Sequence, residues 1–211
     1  AAPVILGFLF PVVILLGFVI QGYSIDNYAK IVEVAFNSLL IAASVAIMVM
    51  AAATVMTVEG IFHRNRLVRA LTALASTGYA FPGTILAIGV VTFAGMVDDG
   101  LQVVLEGIFG LSYGGITGTL TLVLIACMVR FQAIGYGAMS AGVRRMPPNL
   151  LSASRVLGQG FEGTLRQIAF PLVRSSILAG GLLVFVDVMK ELPMTLLLRP
   201  FDFDTLSTYV Y

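Results

Sequence analysis

The chain has 211 residues, of which 59% are hydrophobic and 11% charged, with a formal net charge of +1. An ordinary soluble domain is about one quarter charged, so this composition excludes a water-soluble globule and makes a lipid bilayer the solvent. The single cysteine, Cys127, excludes an internal disulfide and any four-cysteine metal site. A membrane-spanning helix needs about 20 mostly apolar residues, so the length leaves room for about five crossings in an all-α, multi-pass bundle.

The first predicted span covers residues 3–22, with Pro11 as a kink that neighbouring helices tolerate in lipid. It is long enough to span and lacks the cleavage pattern of a signal peptide. The second, residues 34–58, is rich in Ala and Ser, whose small side chains suit close packing inside a bundle. His63, Arg64, Arg66 and Arg69 then form a basic cluster that the positive-inside rule assigns to the cytoplasm. His63, the only histidine, reads as a solvated loop residue, because a metal site needs several converging donors. No metal site is expected.

A third span, residues 70–97, is interrupted at Tyr79-Ala80-Phe81-Pro82-Gly83. A Pro-Gly pair at membrane depth breaks or bends a helix, and the freed backbone is tolerated only against protein or a water-filled cavity. Tyr79 and Pro82 are therefore candidates for lining a passage, beside the plainer reading of a kink. Asp98, Asp99 and Glu106 are expected in the outer connection that follows, with a short interfacial helix over residues 101–110. A fourth span, residues 115–136, returns the chain to Arg144 and Arg145, and Arg130 counts with the inner-face cations. The fifth, residues 175–192, leads to an acidic outer segment carrying Asp202 and Asp204.

Between the fourth and fifth spans lies a polar island, Asn149 to Pro171, bracketed by Pro147, Pro148 and Pro171, which suit helix starts and stops. It reads as two short helices meeting at Gly158. Gly158, Gly160 and Gly163 spell G-x-G-x-x-G, but a nucleotide site would need a preceding strand and a parallel sheet, which this setting lacks.

The island carries a resemblance. Ser152-Ala153-Ser154, Gly158 and Ile168-Ala169-Phe170-Pro171 keep every spacing of the cytoplasmic loop of inner-membrane subunits of binding-protein-dependent ABC importers. In that family the loop reads E-A-A, three residues, G, nine residues, I-x-L-P; this chain has Ser at 152, Ser at 154 and Phe at 170. The resemblance implies a type-1 transmembrane domain over residues 1–211, with a coupling loop at 140–173 and a sixth span beyond Tyr211. It also implies a first loop helix over residues 149–157 and a docking helix over residues 160–167 that seats in a separate ATPase subunit. Ser152, Ala153, Arg155, Gly158, Phe161, Glu162, Leu165 and Pro171 are the implied ATPase-coupling residues. Phe161 and Leu165, four apart, would share one face, with Phe161 the chief contact. The plainer reading of this helix is an amphipathic segment resting on the membrane surface.

Asp187, Lys190 and Glu191, spaced i, i+3, i+4, are expected on one helical face, about 26 Å from Arg174 for Glu191 and so near the outer interface. They form either an Asp187–Lys190 ion pair that orients the helix or part of the translocation path. The run from Lys190 to Phe201, KELPMTLLLRPF, is similar to a segment of ferric iron permeases, whose chains hold two six-span halves. Thiamine and phosphonate permeases share much of this pattern.

What the resemblance implies for function is a permease subunit of the bacterial inner membrane, not an enzyme, that binds no cofactor itself. ATP and Mg would sit on partner ATP-binding subunits. The other expected partners are a periplasmic substrate-binding protein, the other permease half or a second copy, and membrane lipid, with no nucleic acid. Two rivals from other classes are an intramembrane enzyme and an ion-coupled secondary transporter. The first needs converging catalytic groups and the second internal repeats or midplane charges, and the sequence displays neither.

Overall fold

The computed structural model describes residues 2–21, 28–62, 66–111, 113–147 and 149–211. His63, Arg64 and Pro148 lie outside them. Every regular element among the described residues is helical, as a chain in lipid requires when its backbone hydrogen bonds must close within each segment.

The chain divides into two units, residues 1–33 and 34–211. In the first, helix α1 runs over residues 2–20. Its apolar stretch, Ile5–Phe18, is shorter than that of the four helices long enough to cross a membrane. A five-residue π turn, Ile5–Leu9, precedes Pro11, and the Phe10 N–H reaches the Ile5 carbonyl. The wider turn carries the helix past a proline that cannot donate a hydrogen bond.

The second unit holds most of α2 (Tyr28–Phe62) together with α3 (Arg66–Thr77), α4 (Gly83–Phe109) and α5 (Leu120–Arg144). Then follow α6 (Leu150–Val156), α7 (Phe161–Met189), α8 (Pro193–Leu198) and α9 (Leu206–Val210). α2, α4, α5 and α7 are long and apolar enough to span. Helix α5 is the centre: Leu122, Val123, Ala126, Cys127 and Phe131 are buried on it, against Ile41, Val45 and Val49 of α2 and Val184 and Val188 of α7, and Met139 is buried with Met50, Ala53 and Val173.

Close approach at this centre depends on missing side chains. A Cβ on Gly180 of α7 would lie 2.7 Å from the Ala138 Cβ, and one on Gly142 of α5 would lie 2.3 Å from the Ser176 Oγ. With no hydrophobic drive between helices in lipid, such small-residue seams supply packing instead.

The bounds differ from the sequence expectations in instructive ways. The expected third span is a discontinuous helix: α3 packs on α5, the chain breaks at residues 78–82, and α4 continues on α5 and α8. α4 runs on to Phe109, so Asp98, Asp99 and Glu106 lie on it rather than in a connection, and the separate interfacial helix is its last turns, closed by Gly110. Asp98 there fastens the next loop. Its carboxylate accepts from the backbone N–H of Ile116 (2.8 Å) and Thr117 (2.9 Å), the Thr117 hydroxyl (2.7 Å) and the Tyr113 hydroxyl (3.2 Å). Partial desolvation, with the Asp98 carboxylate beside it, holds the Tyr113 hydroxyl above its ordinary value. Pro171 neither starts nor stops a helix, because a second π turn, Leu165–Ala169, carries α7 past it as at Pro11.

Gly180→Val should lower the stability of the purified chain by about 1–3 kcal/mol, the usual cost of overpacking. Thermal unfolding in detergent checks this against Gly137→Val, where a Cβ meets nothing within 4 Å and the midpoint should hold.

Candidate functional site

Two places bring the sequence-predicted residues together, one at a pair of helix breaks and one at the α6–α7 tip. At the first break, Gly78–Ala80 forms one tight turn and Phe81 is extended (φ −86, ψ 137), as a residue before proline must be. Pro82 caps α4 and accepts from Leu86 N–H at 3.1 Å. Gly78 is buried against α5, where a Cβ would lie 2.2 Å from the Val129 carbonyl oxygen. At the second break α7 ends at Met189, and Pro193 opens α8.

Glu191, between them, faces Arg130 of α5. The Arg130 Nη1 donates to the Glu191 Oε1 at 3.2 Å, and the two side chains are only 17% and 7% exposed. The same oxygen accepts from Met194 N–H at 3.2 Å, capping α8. The Glu191 carbonyl accepts from the hydroxyls of Thr195 (2.6 Å) and Ser207 (3.1 Å). The Arg130 Cζ lies 5.8 Å from the Tyr79 ring and 5.7 Å from the Phe131 ring, close enough for cation–π attraction. Gly83 leaves room for the pair: a Cβ there would sit 1.9 Å from Arg130 Nη1 and 2.8 Å from Glu191 Oε1.

This geometry corrects one expectation. Arg130 lies about 15 Å in from Leu120 on a helix about 37 Å long, near the middle of α5, and Glu191 is bonded to it. Asp187 and Lys190 share a face as expected, but Glu191 leaves it, because the helix stops at Met189. Lys190 is 69% exposed and pairs with Asp187 at 2.6 Å, while Glu191 turns inward.

At the other place, α6 and α7 meet through a turn in which Gly158 has φ +80, a left-handed conformation that favours glycine. The Gln159 N–H donates to the Ser154 carbonyl at 3.1 Å, and the Thr164 N–H to the Gly160 carbonyl at 3.0 Å. Across the turn the buried hydroxyls of Ser154 and Thr164 lie 2.8 Å apart, clipping the two arms together. Ala153 is exposed on α6; Ser152 and Arg155 are also on α6, their side chains outside the described ones. Phe161 and Glu162 are exposed at the start of α7. Leu165 turns partly inward, lining an apolar crevice with Met139, Val143, Met146 and Val173.

Sequence reasoning missed two apolar residues at this tip, Val156 and Leu157, which are 87% and 82% exposed beside Phe161 at 50%. An apolar run just before a left-handed glycine was the available signal. It also missed Arg130 as a partner, although a lone arginine ten residues inside an apolar helix invites the question of its counter-charge.

The family described as binding-protein-dependent transport system inner membrane component matches residues 44–200. The Fe(3+)-transport system permease protein FbpB 2 of Haemophilus influenzae is 23% identical over 204 residues. That alignment takes in 95% of this chain and 37% of the relative, so the chain spans little more than a third of that protein's length.

Removing one hydroxyl of the clip leaves the other buried and unpaired, which costs about 1–3 kcal/mol. Ser154→Ala and Thr164→Val should each destabilise by that amount, and the double variant by less than their sum. Unfolding midpoints through a double-mutant cycle provide the check.

Proposed function

The chain belongs to the family of binding-protein-dependent transport system inner membrane components, and on that footing we propose that it is the transmembrane subunit of an ATP-driven importer of ferric iron in the bacterial inner membrane. Residues 1–211 act as a type-1 transmembrane domain, completed by the other permease half or a second copy. Nucleotide and Mg sit on separate ATP-binding subunits, where hydrolysis takes place. A periplasmic binding protein delivers cargo to the opposite face.

The observation that carries this reading is the exposed tip of Val156, Leu157 and Phe161 on a turn held rigid by Gly158 and the Ser154–Thr164 clip. An apolar anchor on a preorganised turn is what docking in a partner's cleft needs. Ser152, Ala153, Arg155 and Glu162 flank the anchor, and Leu165 and Pro171 follow Phe161 along α7, so closure of the ATPase subunits moves the span. Tyr79, Pro82, Asp187, Lys190 and Glu191 gather at the helix breaks and line the passage. The role of the Haemophilus influenzae relative, an Fe(3+)-transport system permease protein, supports that cargo.

Reconstitution of the complete permease with its ATPase subunit and binding protein in liposomes tests the proposal. Iron uptake that requires ATP supports it. Uptake of thiamine or a phosphonate instead would keep the mechanism and replace the cargo, and no association with an ATPase would overturn the docking role. In the same assembly Phe161→Ala should weaken ATPase association by about 2 kcal/mol, roughly 30-fold, as loss of a hot spot does. Gly158→Pro, which cannot adopt φ +80, should leave hydrolysis uncoupled from uptake; normal transport by that variant would count against the coupling role.

A further inference from the structure

The Arg130–Glu191 pair has the features of a contact made to be broken. A structural arginine–carboxylate pair is frequently bidentate. Here one guanidinium nitrogen meets one carboxylate oxygen at 3.2 Å, and that oxygen is shared with Met194 N–H. The Arg130 Nε is buried with no hydrogen-bond partner among the described residues. Burying such a pair gains little stability, because desolvation offsets the attraction.

Its position explains why it would be kept. Glu191 stands two residues past the end of α7, and α7 begins at Phe161 of the α6–α7 tip, so the tip and the ion pair terminate one 29-residue helix. Arg130 belongs to α5, against which α7 packs through Gly142, Ser176, Ala138 and Gly180. A shift of α7 along α5 draws Glu191 away from Arg130 and parts the two helix breaks at Gly83.

We propose that Arg130 and Glu191 form an ionic latch that holds the two broken helices together and keeps the passage closed until movement of α7 separates them. This rests on the transport reading above and assigns the residues that gate it. Arg130 and Glu191 act as positioning residues: their attraction sets the closed state, and the force that opens it arrives from the tip.

The test uses the complete assembled permease in liposomes, reading leak of entrapped sodium without ATP and ATP hydrolysis without binding protein. Glu191→Gln keeps an oxygen for Met194 N–H and removes the charge; it should raise both readings about fivefold or more, the lower end of typical coupling energies. Arg130→Lys, which keeps the charge, should remain tight. The double variant Arg130→Met/Glu191→Gln should be no leakier than Glu191→Gln alone, because the pair acts as a unit. A tight Glu191→Gln, or leaks that add in the double variant, would overturn the latch, with thermal unfolding confirming that each variant is folded. If the parent assembly shows no ATP-driven uptake, the transport reading fails, while the leak comparison still decides the latch. If the parent transports and Glu191→Gln is tight, the latch alone fails.

Discussion

Backbone that leaves a helix inside a bilayer must find its hydrogen-bond partners in the protein, because lipid offers none. This chain leaves the helix twice at the level of mid-α5, at residues 78–82 and 190–192, and both departures are covered by the same neighbours. Gly78 lies on the Val129 carbonyl, Gly83 makes room for Arg130 and Glu191, and Glu191 satisfies the start of α8 with its side chain and two hydroxyls with its carbonyl. The C-terminal segment closes the arrangement. Leu206 N–H donates to the Ser38 hydroxyl at 2.7 Å, Asn37 to the Asp204 carbonyl at 3.1 Å, and Arg199 pairs with Asp204.

The buried faces of α2 and α5 form the continuous core, and Asp98 pins the loop before α5. α7 joins that core through Val184 and Val188 and approaches α5 closely at Gly142 and Gly180, while its ends carry the clipped tip and the ion pair. A helix held by shape at its middle and by single polar contacts at its ends is suited to transmit a displacement. The two π turns ahead of Pro11 and Pro171 serve continuity, since each keeps a long helix unbroken where proline removes a donor.

Much of this was legible in the sequence, for reasons that are local. Composition set the solvent, apolar runs marked α2, α5 and α7, and the spacing from Ser152 to Pro171 marked the tip and its turn at Gly158. The Pro82-Gly83 pair announced the break in the third span. What was hidden depends on long-range contacts or on small shifts in helix ends. Arg130 shows no counter-charge until Glu191, 61 residues later, is seen beside it. The helical face predicted for Asp187, Lys190 and Glu191 holds for the first two alone, because α7 stops one residue before Lys190 and Glu191 turns inward. Ser154 departs from the family pattern, and its hydroxyl partner, Thr164, lies across the turn.

On the proposed function, the two breaks around Arg130 and Glu191 line a water-filled passage. The decisive measurement places a single cysteine at Tyr79 in a Cys127→Ala chain and challenges it with a water-soluble maleimide in the assembled, membrane-embedded permease. The cysteine should react, and nucleotide binding by the ATPase subunits should change its rate. Reaction with lipid-soluble thiol reagents alone would place Tyr79 against lipid and overturn the passage.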